Sequence, residues 1–293
     1  MGMKRGLSLF VLILFTCLTV YGQGDIGISG SVEWDSMLIK ATVTLDLASA
    51  GLRLPAGRTQ AEAILRTGYT TLIQPGILSL QVDSSSTVAD LIERGEFTLA
   101  EINTLANSAN SIAPALSSDM RSMSTSHTIS INNLSSMLLR HIRPSPVIRT
   151  LNPVSTAQYT GIIIIASEEL PVHGMRGTAM PIPCLFPKIW DSEMNLIYDR
   201  NMLETGNTAM VRYSTTQNIF QNNPTGLSPE LREIAGDRPL RIFARGVFGI
   251  NPTDLIIDRS DALSIISSEE NRRLLSQGKV VIILNQSVLV TSY

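Results

Sequence analysis

Two short runs of almost exclusively β-branched residues constrain the fold of this chain more than any other feature. Tyr159–Ala166 contains four consecutive isoleucines, and residues 279–284 read KVVIIL. A strand with one solvated face alternates apolar and polar residues, whereas a strand covered on both faces can be apolar throughout. We therefore expect both runs to be strands that are buried on both faces.

The residues before the second run predict the elements that cover such strands. The sequences PLRIFARGVFG and TDLIID are typical of strands, and Ser260 can cap a helix over DALSIISS. Ser267 and Glu270 have the spacing of a capping box for a helix over EENRRLLSQ, and Gly278 follows where a C′ glycine belongs. This order of strands and helices predicts a small layer of helices on a sheet.

The first half of the chain predicts a similar layer. Residues 31–51 alternate enough to form a strand or a strand pair, and Pro55 opens a helical pattern that we expect Gln74–Gly76 to end. Residues 84–86 precede a helix over TVADLIER that stops at Gly95. Three further elements are predicted: a helix with a Thr98–Glu101 capping box, a strand with an irregular end within residues 127–142, and a short strand over MNLIYDR.

Between the two halves, Arg143–Pro153 (RPSPVIRTLNP) contains too much proline for a helix and is predicted to be a linker or a crossing at a sheet edge. A strand is also expected within residues 206–213, and QNNPTGLSPELREIAGDRP should contain at most one helical turn. The predicted fold class is α+β, with two small helix-on-sheet domains and mixed, largely antiparallel sheets. The domains span residues 23–150 and 151–293, after a signal peptide at residues 1–22.

The N-terminal segment predicts the compartment. Lys4 and Arg5 precede an apolar run over Leu7–Val20, and small residues follow it, so we expect cleavage after Gly22 and export to the bacterial periplasm. Cys17 is one of two cysteines, but Leu14–Thr16 lack the small residues of a lipobox, which disfavours the alternative of a lipid anchor. Cys184 then has no partner for an internal disulfide.

Charge excludes some partners. The chain has 25 acidic and 23 basic residues, a net charge of −2. This balance gives no electrostatic footprint for nucleic acid or anionic lipid, and we expect membrane association to be peripheral at most. Proteins of the envelope or the flagellum are the expected partners, and an oligomer is compatible with the composition.

Several polar residues invite a catalytic or metal-binding interpretation. His173 and Cys184 share a loop-rich stretch with Glu168 and Glu169, but apolar neighbours favour Cys184 as a small buried residue. No metal-binding spacing joins the remaining histidines, His127 and His141, or any cysteine. The spacing of Asp254, Asp258 and Asp261 could suggest a paired-carboxylate site, but Asp258 and Asp261 lie where a strand turns into a helix, and carboxylates favour a helix N-terminus. We therefore expect no catalytic residue, no metal and no cofactor.

Two segments resemble a known family. The first comprises Tyr159–Ala166 and the later Pro183, Leu185, Pro187–Ile189, Asp191 and Ile197–Tyr198; the second is ARGVFGINPTDLIIDRSDALSII. Together they resemble bacterial envelope proteins related to the flagellar T-ring protein and to small surface lipoproteins. The resemblance covers roughly residues 159–284. It implies a non-enzymatic periplasmic protein that assembles with, or stabilises, an envelope machine.

Three functions follow as hypotheses. The first is a periplasmic structural or assembly protein of the cell envelope, associated with the flagellum or the outer membrane. The second is a module that binds peptide, glycan or lipid through residues 167–200, and its surface would be formed by Met175, Met180, Leu185, Phe186 and Trp190. The third, a hydrolase acting through Cys184 and His173, requires these two side chains to lie within hydrogen-bond reach.

Overall fold

A computed structural model describes residues 25–293, so the predicted signal peptide at residues 1–22 and Cys17 lie outside the described residues. The architecture is α+β, as predicted. The first half contains seven strands and five helices among these residues. The strands are β1 (Ile26–Glu33), β2 (Leu38–Asp46), β3 (Gln81–Asp83), β4 (Ser86–Thr87), β5 (Asn110–Ser111), β6 (Ala115–Leu116) and β7 (Ser122–Ser130). The helices are α1 (Arg58–Leu72), α2 (Gln74–Leu78), α3 (Val88–Glu93), α4 (Leu99–Asn107) and α5 (Ile131–Leu138).

The second half has shorter strands. They are β8 (Ile162–Ile165), β9 (Leu170–Pro171), β10 (Thr178–Ala179), β11 (Ile189–Asp191), β12 (Leu196–Tyr198), β13 (Arg212–Ser214), β14 (Leu240–Phe243), β15 (Gly246–Phe248), β16 (Asp254–Ile257), β17 (Val280–Ile283) and β18 (Val290–Ser292). The helices are α6 (Pro229–Ala235), α7 (Arg259–Ile266), α8 (Glu269–Ser276) and α9 (Gln286–Leu289), with 3₁₀ turns at Arg200–Met202 and Thr216–Ile219.

The first sheet is antiparallel, in the order β18-β1-β2-β7-β5, with β6 also paired to β7. Its long strands alternate strictly: β2 buries every second residue from Ile39 to Leu45, and β7 does so from Met123 to Ile129. This buried face packs against α1, which contributes Ala61, Leu65 and Tyr69. The period-2 pattern of the sheet and the apolar stripe of the helix therefore form one core.

The second domain contains a sheet that is parallel throughout, in the order β13-β17-β8-β14. All four residues of β8 and of β17 are buried, which confirms the prediction from the two β-branched runs. One face packs into the main core, where α7 and α8 contribute Ile265 and Leu275. The other face forms a separate core with Leu231 and Ala235 of α6.

Some predicted helix boundaries were wrong, and the caps explain why. Thr87 rather than residues 84–86 caps α3, because its hydroxyl accepts from the Asp90 backbone while the Asp90 carboxylate accepts from the Thr87 backbone. Asp258 precedes α7 in place of Ser260, and Ser268 caps α8 in place of Ser267. The Thr98–Glu101 capping box was predicted correctly.

Three segments are more helical than predicted. Helix α1 ends at Leu72, just before Gln74–Gly76, as predicted, but these residues open the short helix α2, since proline is tolerated in a first helical turn. The predicted strand over 127–142 ends at Ser130, and α5 follows because Ile131, Leu134 and Leu138 fall on one buried face. Helix α6 has seven residues where one turn was predicted, and the Ser228 hydroxyl caps it.

The last strand of the chain belongs to the sheet of the first domain. Strand β18 pairs antiparallel with β1, Ser292 lying opposite Ser31. The ring of Tyr293 then fills the space between Gly30 of β1 and Gly76 of α2, where an added Cβ would lie 2.3 Å and 2.5 Å from ring atoms, respectively. A side chain at either position would displace the Tyr293 ring, so both glycines leave room for the residue that follows β18.

A buried histidine lies in the first core. The His127 ring stacks on Tyr69 with the ring centroids 3.6 Å apart, and its neighbours across the sheet are Ala41 and Ser111. Within residues 25–293, neither ring nitrogen of His127 has a hydrogen-bond partner. Burial lowers the pKa of His127 from its ordinary 6.5.

This arrangement predicts acid destabilisation. The unfolded state takes up a proton at His127 below about pH 6.5, whereas the folded state resists it, so the free energy of unfolding should fall by up to about 1.4 kcal/mol per pH unit as the pH drops from 6.5 towards the folded pKa. Substituting His127→Phe keeps an aromatic ring but removes this dependence. Urea unfolding of both proteins between pH 7 and pH 5 measures the difference, and parallel pH profiles would contradict the prediction.

Candidate functional site

The largest concentration of buried polar groups lies where the two domains meet, in residues 81–86 of the first and residues 182–191 and 249–254 of the second; we refer to it as the junction. The Leu185 backbone N–H donates to the Gln81 carbonyl (3.0 Å), and the Phe186 N–H donates to the Val82 carbonyl (2.8 Å). These two bonds join the segment around Leu185 and Phe186 to strand β3 across the boundary between the domains.

The turn between β3 and β4 docks on the second domain through Ser84. Its carbonyl accepts from the Asn251 N–H (2.8 Å), and Gly249 passes so close that an added Cβ would lie 2.3 Å from the Ser84 Cβ. Gly249 also has a φ of +112°, so two independent constraints require glycine here.

Asp254, the first residue of β16, is the electrostatic centre of the junction and is 1% exposed. One carboxylate oxygen accepts from the Lys188 backbone N–H (3.1 Å) and the Thr253 hydroxyl (3.3 Å). The other accepts from the Ser84 hydroxyl and the Trp190 indole N–H, each at 3.3 Å. Burial raises the pKa of Asp254 above its ordinary value, while these donors oppose the shift. Four donors thus replace the water that the carboxylate loses.

Cys184 lies in the same junction. The Tyr213 hydroxyl donates to the Cys184 carbonyl (2.8 Å) and accepts from the Cys184 N–H (3.1 Å), and Trp34 of the first domain packs edge-on against the Tyr213 ring at 5.8 Å. The thiol is completely buried, and burial raises the pKa of Cys184 far above its ordinary value. The thiolate that a nucleophile requires is therefore disfavoured.

His173 lies apart from Cys184. Its side chain is exposed, its ring packs edge-on against Phe248 at 5.9 Å, and its backbone N–H donates to the Val247 carbonyl (2.8 Å). In the part of the chain that the structure describes, no hydrogen bond joins His173 to Cys184. The Cys–His arrangement of the hydrolase hypothesis is not formed in this structure.

The five residues predicted to form an interaction surface do not lie on one. Leu185 and Phe186 are 3% and 2% exposed, and their backbone bonds to Gln81 and Val82 hold this segment against the first domain. Trp190 is half-buried and donates its indole N–H to Asp254. Met180 is also half-buried, and Met175 is exposed in a loop. The prediction of a surface was therefore wrong for Leu185 and Phe186, which form an interface within the chain.

The remaining polar candidates have structural partners. The His141 Nε2 lies 2.7 Å from the Leu203 carbonyl, and Asp258 forms an ion pair with Arg245 at 2.7 Å. Asp261 lies in the first turn of α7, as predicted. Across residues 25–293, no three His, Cys, Asp or Glu side chains are grouped to hold a metal ion.

A buried ion pair was missed by the sequence analysis. The fully buried Asp191 carboxylate accepts from the Asn195 N–H (2.8 Å) and the Glu193 N–H (3.0 Å), and it pairs with Arg259 of α7. Burial acts to raise the pKa of Asp191, but these bonds hold it below its ordinary value. The signal in the sequence is an aspartate followed four residues later by an asparagine. Such a pair favours a turn in which side chains bond to the backbone. Its function is to fix the β11–β12 turn.

The junction yields a stability prediction. Replacing Asp254→Ala leaves the Trp190 and Lys188 N–H groups buried without an acceptor, and we expect the free energy of unfolding to fall by about 2–3 kcal/mol. The control Asp237→Ala removes an exposed partner of Arg232 and should change it by less than about 1 kcal/mol. If chemical denaturation shows the same loss in both variants, the hydrogen bonds of Asp254 contribute no more to stability than an exposed ion pair does.

In the described part of the chain, no helix is long and apolar enough to cross a membrane. None of the curated proteins matches the chain. Two family models do match: that of the N-terminal domain of Treponema pallidum Tp0624 over residues 25–137, and that of the second domain of Tp0624 over residues 161–286. The matches give no link to the flagellar T-ring proteins that the sequence resembles. The two matched ranges leave out the linker and coincide with the two layered halves of the structure, and the chain belongs to the two-domain family of uncharacterised bacterial proteins represented by Tp0624.

Proposed function

We propose that this chain is a non-enzymatic structural or assembly protein of the bacterial periplasm, which acts through its surface on other components of the cell envelope. The observation that carries the proposal is the junction. Its buried reactive groups, Cys184 and Asp254, are bonded structurally: Tyr213 bonds both backbone groups of Cys184, and Asp254 accepts from Ser84 of the first domain. Chemistry that would need a free thiolate or an accessible carboxylate is disfavoured at these positions.

The way in which the domains are joined supports a scaffold. Domains linked only by a flexible tether move independently, whereas domains that share core and backbone ladders present their surfaces at a fixed spacing. Here the main core runs from Val32 through Leu185 to Leu289, and the Trp34 N–H donates to the Leu289 carbonyl at 2.9 Å. Such a body suits a protein that positions partners relative to one another.

An association with the flagellum is the finer form of this proposal and depends on the sequence resemblance alone. The alternative of a ligand-binding module at residues 167–200 loses support from the burial of Leu185 and Phe186. Export depends on the Lys4–Arg5 and Leu7–Val20 pattern.

Cell fractionation tests the proposed compartment. The tagged protein should be recovered in the periplasmic or envelope fraction, in a complex larger than the chain itself, and a deletion strain should lose motility or envelope integrity. Replacing Leu12 and Leu14 with Arg interrupts the apolar run and should retain the protein in the cytoplasm. A wild-type protein found only in the cytoplasm would contradict the proposal.

A complementation experiment separates assembly from catalysis. Cys184→Ala and His173→Ala should each restore the deletion strain as well as the wild-type gene does, because neither side chain is proposed to take part in a reaction. Cys184→Ala removes one buried sulfur and costs about 1 kcal/mol of stability, which circular dichroism can check. If either variant folds normally and fails to complement, the hydrolase hypothesis regains support.

A further inference from the structure

The linker between the domains carries an unusual distribution of charge. No acidic residue occurs between Asp119 and Glu168, whereas Arg121, Arg140, Arg143 and Arg149 fall within this interval. The rest of the chain mixes the two signs. Basic residues therefore collect on the linker of a protein whose net charge is −2.

We call residues 140–154 the strap, because this segment lies extended over the second domain without helix or strand. Three contacts hold it against the second domain. The Ser145 N–H donates to the Asn201 carbonyl (2.7 Å), Val147 packs against the main core, and the Val154 N–H donates to the Ser267 hydroxyl (3.0 Å). Pro144 and Pro146 restrict the backbone further, so a partner would meet a largely preformed shape.

The strap also presents apolar side chains to solvent. Ile142 is 89% exposed and Leu151 is 97% exposed, and Ile148 and Val154 are each 42% exposed. Arg143 and Arg149 are also exposed, and neither forms an ion pair within residues 25–293. Arg140 is paired with Glu101 at 2.7 Å. Aliphatic side chains and unpaired guanidinium groups thus alternate along one exposed segment.

A neighbouring groove extends the basic surface. It has a volume of about 510 Å³ and lies between the strap and α8, with Arg149, Arg272 and Arg273 in its walls. Glu204 and Glu269 also line the groove, and Ser276 donates to Glu204 (2.9 Å). The three arginines outnumber the two glutamates, so the walls of the groove carry a net positive charge, as the strap does.

We propose that the strap docks the protein on an anionic phospholipid surface, with Arg143 and Arg149 against the headgroup phosphates and Ile142 and Leu151 inserted among the first acyl carbons. Charge complementarity favours an anionic partner. The apolar residues are separated by arginines and prolines, so they do not form the continuous patch that a stable protein interface needs. Single protruding aliphatic side chains beside basic ones suit the boundary between headgroups and acyl chains.

This inference deepens the proposed function by naming a partner, and its experiment requires no assumption about the compartment. The protein used begins at Gln23, so that Lys4, Arg5 and the apolar run cannot bind the vesicles themselves; all contacts described above lie within residues 25–293. Sedimentation should show binding to vesicles of equal parts phosphatidylglycerol and phosphatidylcholine. Binding to pure phosphatidylcholine should be much weaker, and salt should reduce the binding to anionic vesicles.

Two pairs of variants test the residues. Each basic residue near an anionic surface contributes about 1 kcal/mol, so R143Q/R149Q should bind about 30-fold more weakly. The control R53Q/R66Q removes the same charge from exposed positions on the first domain and should bind like the wild type. Replacing Ile142 and Leu151 with Ser should weaken binding, whereas Ser at Met120 and Ile250, which are 67% and 82% exposed elsewhere, should not.

Three outcomes would overturn the inference: equal binding to both kinds of vesicle, equal loss in R53Q/R66Q, or salt-sensitive capture by immobilised polyglutamate without binding to vesicles. The last would identify an acidic polypeptide as the partner. None of these outcomes changes the expected result of cell fractionation, so the lipid partner can fail while the proposed function survives.

Discussion

The fold depends on two places where the backbone of one half bonds to a strand of the other. Strand β18 pairs with β1, and Leu185 and Phe186 donate to the carbonyls of β3. A buried backbone group without a partner costs about 1–3 kcal/mol, so separating the halves would expose several such groups together. The halves match two distinct family models, yet their hydrogen bonds make them one cooperative body.

This interlocking determines where polar chemistry lies. Because the β3–β4 turn inserts against β16, Asp254 must be desolvated, and the Ser84 hydroxyl and Trp190 indole become part of its solvation. Tyr213 satisfies both backbone groups of Cys184 in the same way. Residues that look reactive in the sequence are therefore held in place by packing, and the surfaces left for partners lie away from the junction.

Local signals in the sequence predicted much of the fold. The isoleucine run of β8 and the Thr98–Glu101 capping box could be identified because their causes lie within a few residues. Leu185 and Phe186 could not, since the strand that buries them is about a hundred residues earlier, and nothing near residue 185 distinguishes an exposed loop from a docked one. The role of Gly30 and Gly76 could not be predicted either, because the Tyr293 ring that occupies the space beside them is remote in sequence.

The strap shows why the candidate interaction surface escaped pattern analysis. Proline identified residues 143–153 as a linker, and a linker is normally treated as a passive connection. The exposed guanidinium groups of Arg143 and Arg149 attract anions. A segment that is held to the protein at Ser145 and Val154 presents these groups and its aliphatic side chains in a largely preformed shape. Any ligand that binds only the folded protein also stabilises the fold. The geometry that connects the domains therefore also favours an anionic partner.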